Sequence, residues 1–243
     1  MEDLILTHNV TSYECSADHF LKPECFMLLC QEMAELHAEK YDFGYDWGIS
    51  HNMAWVEVQG TFEWVRRPRW KEQVTLRTNT GKAGAIQARR FVEMTDAEGH
   101  IIARADLVWV LIDLTSRRPI PLKRVELNVE DECPCITSPF PKAQPTEEPA
   151  EATTSFSALR RDVDFNGHIN NSAYLIWVLD TLPTEWQTAG KAPARFNIAF
   201  KHETFCGQGI CVEHRRESDC ITRHRVIGED GTLRAEIGIE WGE

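Results

Sequence analysis

PECFMLLCQEMAELHAEKY, residues 23–41, is the stretch that decides how this chain folds. Phe26, Leu29, Cys30, Met33, Ala34 and His37 recur at i, i+3, i+4 spacing, and Gln31, Glu32, Glu35 and Glu39 fall on the other side. That spacing predicts an amphipathic helix with one face in a core. Pro23 suits a first helical position, where its missing N–H costs nothing, and Gly44 lies just past the end. Downstream the period drops to two. Val56, Val58, Gly60, Phe62 and Trp64 alternate with Trp55, Glu57, Gln59, Thr61 and Glu63, the pattern of a long half-buried strand. Three more strands are expected at 74–80, 85–95 and 100–114, with turns at Gly81, Gly84 and 96–99, and a leading strand at 4–15 precedes the helix.

The same order recurs after residue 150. A strand is expected at 153–158, then an apolar helix at 171–182 stopped by Pro183, then strands at 195–204, 209–216, 220–227 and 232–241. The second helix carries Tyr174, Leu175, Ile176, Trp177, Val178 and Leu179 around its whole circumference, so burial on nearly all sides is expected. Between the copies, 121–150 is rich in proline (Pro121, Pro134, Pro139, Pro141, Pro145, Pro149) and reads as an extended connector. Two copies of strand–helix–strands suggest duplication. A helix followed by an antiparallel meander buries both apolar surfaces only if the sheet curls around the helix. The expected class is therefore α+β, a tandem (double) hotdog: 1–120, a connector at 121–150, and 151–243.

With 26 basic against 38 acidic residues the net charge is -12, which argues against a protein whose task is holding nucleic acid. No run approaches the roughly 18–20 apolar residues of a membrane span. The acidic start Met1-Glu2-Asp3 has no basic n-region, so a cytoplasmic protein is expected. The eight cysteines contain no C-x-x-C pair, so reduced thiols are expected, with no metal and no cofactor.

The chemistry concentrates in RDVDFNGHINN, residues 161–171, directly before the second helix. Asn170 or Asn171 can serve as a helix N-cap. That does not account for His168, nor for Asp164 and Asn166 at alternate positions with it, which an extended segment would point to one side. An imidazole with a carboxylate nearby is what water activation or proton transfer needs, and backbone N–H groups at a helix start can polarise a carbonyl.

Asp164-x-Asn166-x-His168-x-Asn170-Asn171 before an aromatic-rich helix resembles the signature of acyl-ACP thioesterases. The resemblance extends through WVEVQGTFEWVRRPR (55–69), Ala88-Arg89-Arg90-Phe91, WVLID (109–113) with Arg117-Arg118-Pro119, and Phe200-Lys201-His202-Glu203. It implies hydrolysis of fatty acyl-ACP to free fatty acid and carrier, with the acyl chain in the first hotdog. The catalytic residues, in the second, would be Asp164, Asn166, His168 and Glu203. Asp164 would orient His168, Glu203 and His168 would activate water, and Asn166 with N–H groups near Ile169 or Asn170 would hold the carbonyl oxygen. Many plant relatives carry Cys directly after the glutamate; here Thr204 stands there and Cys206 two residues on, which disfavours a thiol nucleophile. No G-x-S-x-G supplies a serine.

Phe26, Leu29, Met33, Trp55 and Phe62 are candidate walls for an acyl chain, against the plainer reading that they are core. Arg66, Arg67 and Arg69, in the densest basic run, are candidates for docking an acidic acyl carrier protein bearing a phosphopantetheine-linked acyl chain, with Arg160-Arg161 a second basic pair near the catalytic loop; a homodimer is left open. Three alternatives stand beside this reading: an acyl-CoA thioesterase, a hotdog enoyl-thioester hydratase or dehydratase, and a non-catalytic acyl-binding hotdog. The hydratase motif Asp-x-Asn-Pro-x-His has two residues before its histidine, where this chain has Gly167 alone.

Overall fold

A computed structural model describes residues 1–125, 133, 135–143, 149–186 and 192–242. The chain divides into two compact units, Met1–Ser138 and Pro139–Glu243. The first contains β1 (Leu4–Asn9), α1 (Pro23–Lys40), α2 (Tyr45–Ser50), β2 (Met53–Trp64), β3 (Gln73–Lys82), β4 (Gln87–Thr95) and β5 (Ile101–Asp113). Its strands are antiparallel in the order β1-β3-β4-β5-β2. The second contains β6 (Ala152–Ser157), α3 (Asn171–Asp180), β7 (Ala192–Phe200), β8 (Gly209–Arg216), β9 (Ile221–Gly228) and β10 (Leu233–Gly242). Their order is β6-β8-β9-β10-β7, the first unit's order strand for strand. The repeat expected from the sequence is thus a tandem hotdog. No helix among the described residues is long and apolar enough to cross a membrane.

Helix α1 forms because eighteen residues pass without a β-branched side chain and Pro23 opens its first turn. Its buried stripe is Phe26, Met27, Cys30, Met33, Ala34, His37 and Ala38, with Leu29 only half-buried. Phe26 meets Phe62 edge-on at 6.0 Å and Trp64 at 4.7 Å between ring centroids. Along β2 the expected alternation fails halfway. Glu57 pairs with Trp109 and Gln59 with Val108, so Val58 is an extra residue. This bulge moves the buried set from Glu57 to Gly60, Phe62 and Trp64, leaving Val56 and Val58 half-buried. The leading strand stops at Asn9 rather than 15, because Glu14 accepts the Thr11 N–H (2.7 Å) and hydroxyl (2.6 Å) and folds 12–14 into a 3-10 turn.

The proline-rich stretch is shared by the two units. In the first, buried Asp106 accepts N–H bonds from Ile136 (3.0 Å) and Thr137 (2.6 Å) and the Thr137 hydroxyl (2.6 Å). In the second, the guanidinium groups of Arg195 and Arg223 lie 5.3 and 5.2 Å from the Phe140 ring centroid. A Cβ on Gly238 would come within 2.5 Å of that ring, which explains a glycine inside β10. Pro134 and Pro145 lie outside the described residues.

Six of the ten α3 residues are buried, as the apolar circumference predicts. The core beside it holds an ordered polar chain. Trp241 Nε1–H donates to Thr222 Oγ1 (2.9 Å), and the Thr222 hydroxyl donates to His224 Nε2 (2.8 Å). His224 Nδ1 and His214 Nδ1 are 2.9 Å apart, His214 Nε2 is 3.0 Å from Thr181 Oγ1, and that hydroxyl donates to Trp177 O (2.6 Å). One direction satisfies every member. The Thr181 hydroxyl is spent on Trp177, so its oxygen accepts from His214 Nε2–H, and His214 Nδ1 accepts from His224 Nδ1–H. Both rings are therefore neutral, and an added proton would set two donors against each other.

Burial pushes the His214 pKa down to about 4 and lowers His224 as well. The unfolded chain binds protons near pH 6.5 and the folded one does not, so stability present at neutral pH is lost as pH falls through that value. Urea unfolding should show on the order of 2 kcal/mol less stability at pH 5 than at pH 7 from His214 alone, and a further loss in the same direction from His224. A His214→Gln/His224→Gln variant should show a flatter profile over that window; an unchanged slope would contradict the assignment.

Candidate active site

The residues before α3 form a closed turn, not the extended segment that alternate spacing suggested. Val163 and Ile169 pair in an isolated antiparallel bridge, and Asp164 N–H donates to His168 O (2.8 Å). Asp164 Oδ1 accepts N–H bonds from Asn166 (2.9 Å) and His168 (3.3 Å). Gly167 sits at φ +81°, a left-handed conformation that a residue with Cβ adopts only under strain. Asp164 therefore holds the backbone that carries His168, spending its Oδ1 on N–H groups of the turn.

Glu203 comes from beyond the end of β7, not from the strand expected at 195–204. Lys201 and His202 N–H both bond the single carbonyl of Arg234 (2.8 and 3.3 Å), so the ladder ends there. Thr204 is fully buried; its carbonyl accepts Ile169 N–H (3.0 Å) and its hydroxyl oxygen accepts Tyr174 O–H (2.9 Å). These two bonds tie the Glu203 segment to the turn before α3 and to α3 itself. His168 Nδ1 and Glu203 Oε1 are then 3.7 Å apart, both side chains partly exposed. Phe205 packs edge-on against the imidazole at 5.0 Å, and Arg234 Nη1 donates to Glu203 O (3.1 Å).

The backbone N–H groups expected to polarise a carbonyl are already used. Ile169 N–H bonds Thr204 O, Asn170 N–H bonds Asp162 O (2.8 Å), and Ser172 N–H bonds the Asn170 side chain (2.8 Å). Asn170 is thus the N-cap and Asn171 the first helical residue. The Asn166 amide remains as a donor at the surface, its Nδ2 only 3.5 Å from Asp164 Oδ2. An imidazole, a carboxylate and an amide donor around one accessible point suit addition of water to an electrophilic carbonyl.

In the first unit, a cleft of about 70 Å³ lies between α1 and the sheet. It opens where Ala34, Ala38 and Ala88 leave room between helix and sheet, and Phe43, Trp55 and Trp109 line it too. Of the five residues expected as walls, Trp55 lines this cleft; Phe26, Met33 and Phe62 are core and Leu29 is half-buried. The bulge in β2 is why Trp55 and Phe62, an odd and an even position, both face the inner side. Sequence reading missed Arg90, which faces inward between Ala88 and Val92 and is 4% exposed. Its Nη1 donates to His37 Nδ1 (3.1 Å) and Thr78 Oγ1 (3.2 Å), and His37 Nε2–H donates to Glu2 O (3.0 Å). Burial lowers the Arg90 pKa to about 10, so it stays a cation at neutral pH, and burial lowers the pKa of His37 as well.

The expected docking arginines are largely engaged within the first unit. Arg66 pairs with Glu72 (2.7 Å) and Asp96 (3.3 Å), Arg67 pairs with Asp18, and Arg69 lies over the Phe20 ring.

Comparison with known proteins places this geometry among relatives. The acyl-ACP thioesterase N-terminal domain model matches residues 6–128 and the C-terminal domain model residues 146–243. The chain is 29% identical over 256 residues to the chloroplastic oleoyl-acyl carrier protein thioesterase of Coriandrum sativum, covering 94% of this chain and 64% of that one. It spans less than two thirds of the length of that relative. Among solved structures it resembles an acyl-ACP thioesterase from Bacteroides thetaiotaomicron at TM-score 0.88 and 20% identity, covering 99% and 98% of the two chains. It also resembles the 12:0-ACP thioesterase of Umbellularia californica at TM-score 0.82 and 20% identity, covering 99% and 97%. These likenesses establish the shared double-hotdog fold.

If Asp164 acts through the turn, Asp164→Ala should lower unfolding stability by roughly 1–3 kcal/mol, the worth of charged bonds to backbone N–H. Asp164→Asn, which keeps an acceptor oxygen, should lose less. Equal stability of Asp164→Ala and wild type in chemical denaturation would rule out that role.

Proposed function

The chain belongs to the acyl-ACP thioesterase family, and from that premise we propose that it hydrolyses acyl-ACP thioesters to fatty acid and free carrier, with His168 and Glu203 as the acid–base pair. The observation that carries this reading is their convergence at 3.7 Å from two segments joined by the Ile169–Thr204 hydrogen bond. Water adds through its oxygen to the thioester carbonyl carbon while Glu203 takes its proton. The Asn166 amide donates to the oxygen on which negative charge develops, the role that the engaged N–H groups of Ile169 and Asn170 cannot fill. As the intermediate collapses the C–S bond breaks, and the proton passes through the His168–Glu203 pair to the leaving sulfur. Asp164 contributes by fixing the backbone at His168.

The acyl chain is assigned to the cleft of the first unit, whose alanine floor and aromatic walls offer apolar surface and which must widen as the chain enters. The preference for a carrier-bound over a CoA-bound acyl group follows from the family and is read by comparing the two substrates. The same assay distinguishes thioester hydrolysis, which releases free thiol, from hydration of an enoyl thioester, which does not.

His168→Ala and Glu203→Ala, each folded, should lower kcat by about 10²–10⁴-fold. Cys206→Ser should leave turnover largely intact. Near-wild-type rates in both alanine variants, or a thousandfold loss in the serine variant, would overturn the mechanism. Ala88→Phe, which fills the cleft, should depress kcat/KM for long acyl chains more than for short ones by about tenfold or more, as a bulky group closing an apolar pocket does. A uniform effect across chain lengths would remove the cleft from substrate binding.

A further inference from the structure

The rim of the candidate site carries apolar and cationic surface that the chemistry does not use. Leu159, Phe165 and Phe205 are 46%, 73% and 42% exposed, and Arg160 and Arg161 lie exposed beside them. These residues form one surface. Gly207 N–H bonds Ala158 O and Ala158 N–H bonds Gln208 O, both at 2.9 Å, which seats the 159–161 turn beside the 205–208 loop. The Ile169–Thr204 bond seats the turn carrying Phe165 against the same loop. His168 and Glu203 therefore sit within a collar of large apolar side chains with two arginines at its edge.

The electrostatics of this collar run against the rest of the chain. Its two aspartates face their own backbone or core: Asp162 accepts from Leu159 N–H (3.2 Å) and Trp177 Nε1–H (3.3 Å), and Asp164 accepts from its turn. Arg160 has no carboxylate within ion-pair distance among the described residues, and Arg161 reaches only Asp162, at 3.7 Å. In a chain of net charge -12, Arg160 without an ion-pair partner among the described residues and the exposed Arg161, held only at 3.7 Å by Asp162, beside exposed phenylalanine and leucine, select an acidic partner with apolar contacts. The basic run at 66–71 lies in the other unit, and its Arg66 and Arg67 are already paired with Glu72, Asp96 and Asp18, while Arg69 and Lys71 lie over the Phe20 and Trp70 rings. Leu159 and Arg161 also line a cleft of about 320 Å³ between β6 and α3, which gives the collar depth.

We infer that an acidic carrier protein docks on this collar, its carboxylates against Arg160 and Arg161 and its apolar residues against Leu159 and Phe165, delivering the thioester to His168 and Glu203. This rests on the acyl-ACP reading and names where that partner binds.

The test compares an Arg160→Glu/Arg161→Glu/Phe165→Ser variant with an Arg66→Glu/Arg67→Glu/Arg69→Glu variant, both checked for wild-type melting. Substrates are an acyl-ACP and the same acyl group on N-acetylcysteamine, an uncharged small thiol. The collar variant should raise KM for acyl-ACP about tenfold or more and flatten its salt dependence, as loss of electrostatic steering does. Its rate on the small thioester should be unchanged, and the 66–69 variant should keep the wild-type KM. An unchanged KM in the collar variant, a rise confined to the 66–69 variant, or an equal loss on both substrates would overturn the proposal. Absence of any acyl-ACP hydrolysis by the wild type would remove the functional reading and this proposal together. A fully active His168→Ala protein would overturn only the chemistry, leaving the docking comparison readable.

Discussion

One backbone hydrogen bond, from Ile169 N–H to Thr204 O, sets the geometry on which the site depends. It couples the turn that carries His168 to the loop that carries Glu203, more than thirty residues apart along the chain. The bond is protected because Thr204 is fully buried and its hydroxyl oxygen accepts from Tyr174 on α3. A buried carbonyl is costly to leave unpaired, so the loop cannot slide without losing both contacts. The two reactive side chains stand beside this anchor at 3.7 Å, partly exposed, where a substrate can reach them.

Much of this was legible from residue patterns. The stripe on α1 and the apolar circumference of α3 predicted their burial, and the recurrence of strand–helix–strands predicted two units with one strand order. Periodicity could not show the bulge at Val58, because an inserted residue leaves no mark in an alternating string. The bulge turns Glu57, rather than Val56 and Val58, to the buried side in the first half of β2. The tight turn at Gly167 was hidden for a similar reason: alternate polar residues suit an extended segment equally well, and only the positive φ distinguishes the two. Arg90 escaped notice because an arginine between Ala88 and Phe91 reads as outward-facing until His37 and Thr78 are seen to receive it.

The units share topology but differ inside. In the first, small side chains on α1 and β4 leave a cleft bordered by the buried Arg90–His37 pair. In the second, Tyr174 and Trp177 are buried on α3, a cleft opens between α3 and β6, and a directed chain runs through His224 and His214. The two units thus share one strand order while differing in the side chains packed inside it.

The central claim is that His168 and Glu203 act as one unit, and the rate of the His168→Ala/Glu203→Ala double variant measures this most directly. Groups that share one proton path give losses that do not add, so the double variant should hydrolyse acyl-ACP about as slowly as the slower single variant. A double loss equal to the product of the two single losses would mean that the side chains work independently, and the account of their pairing would be wrong.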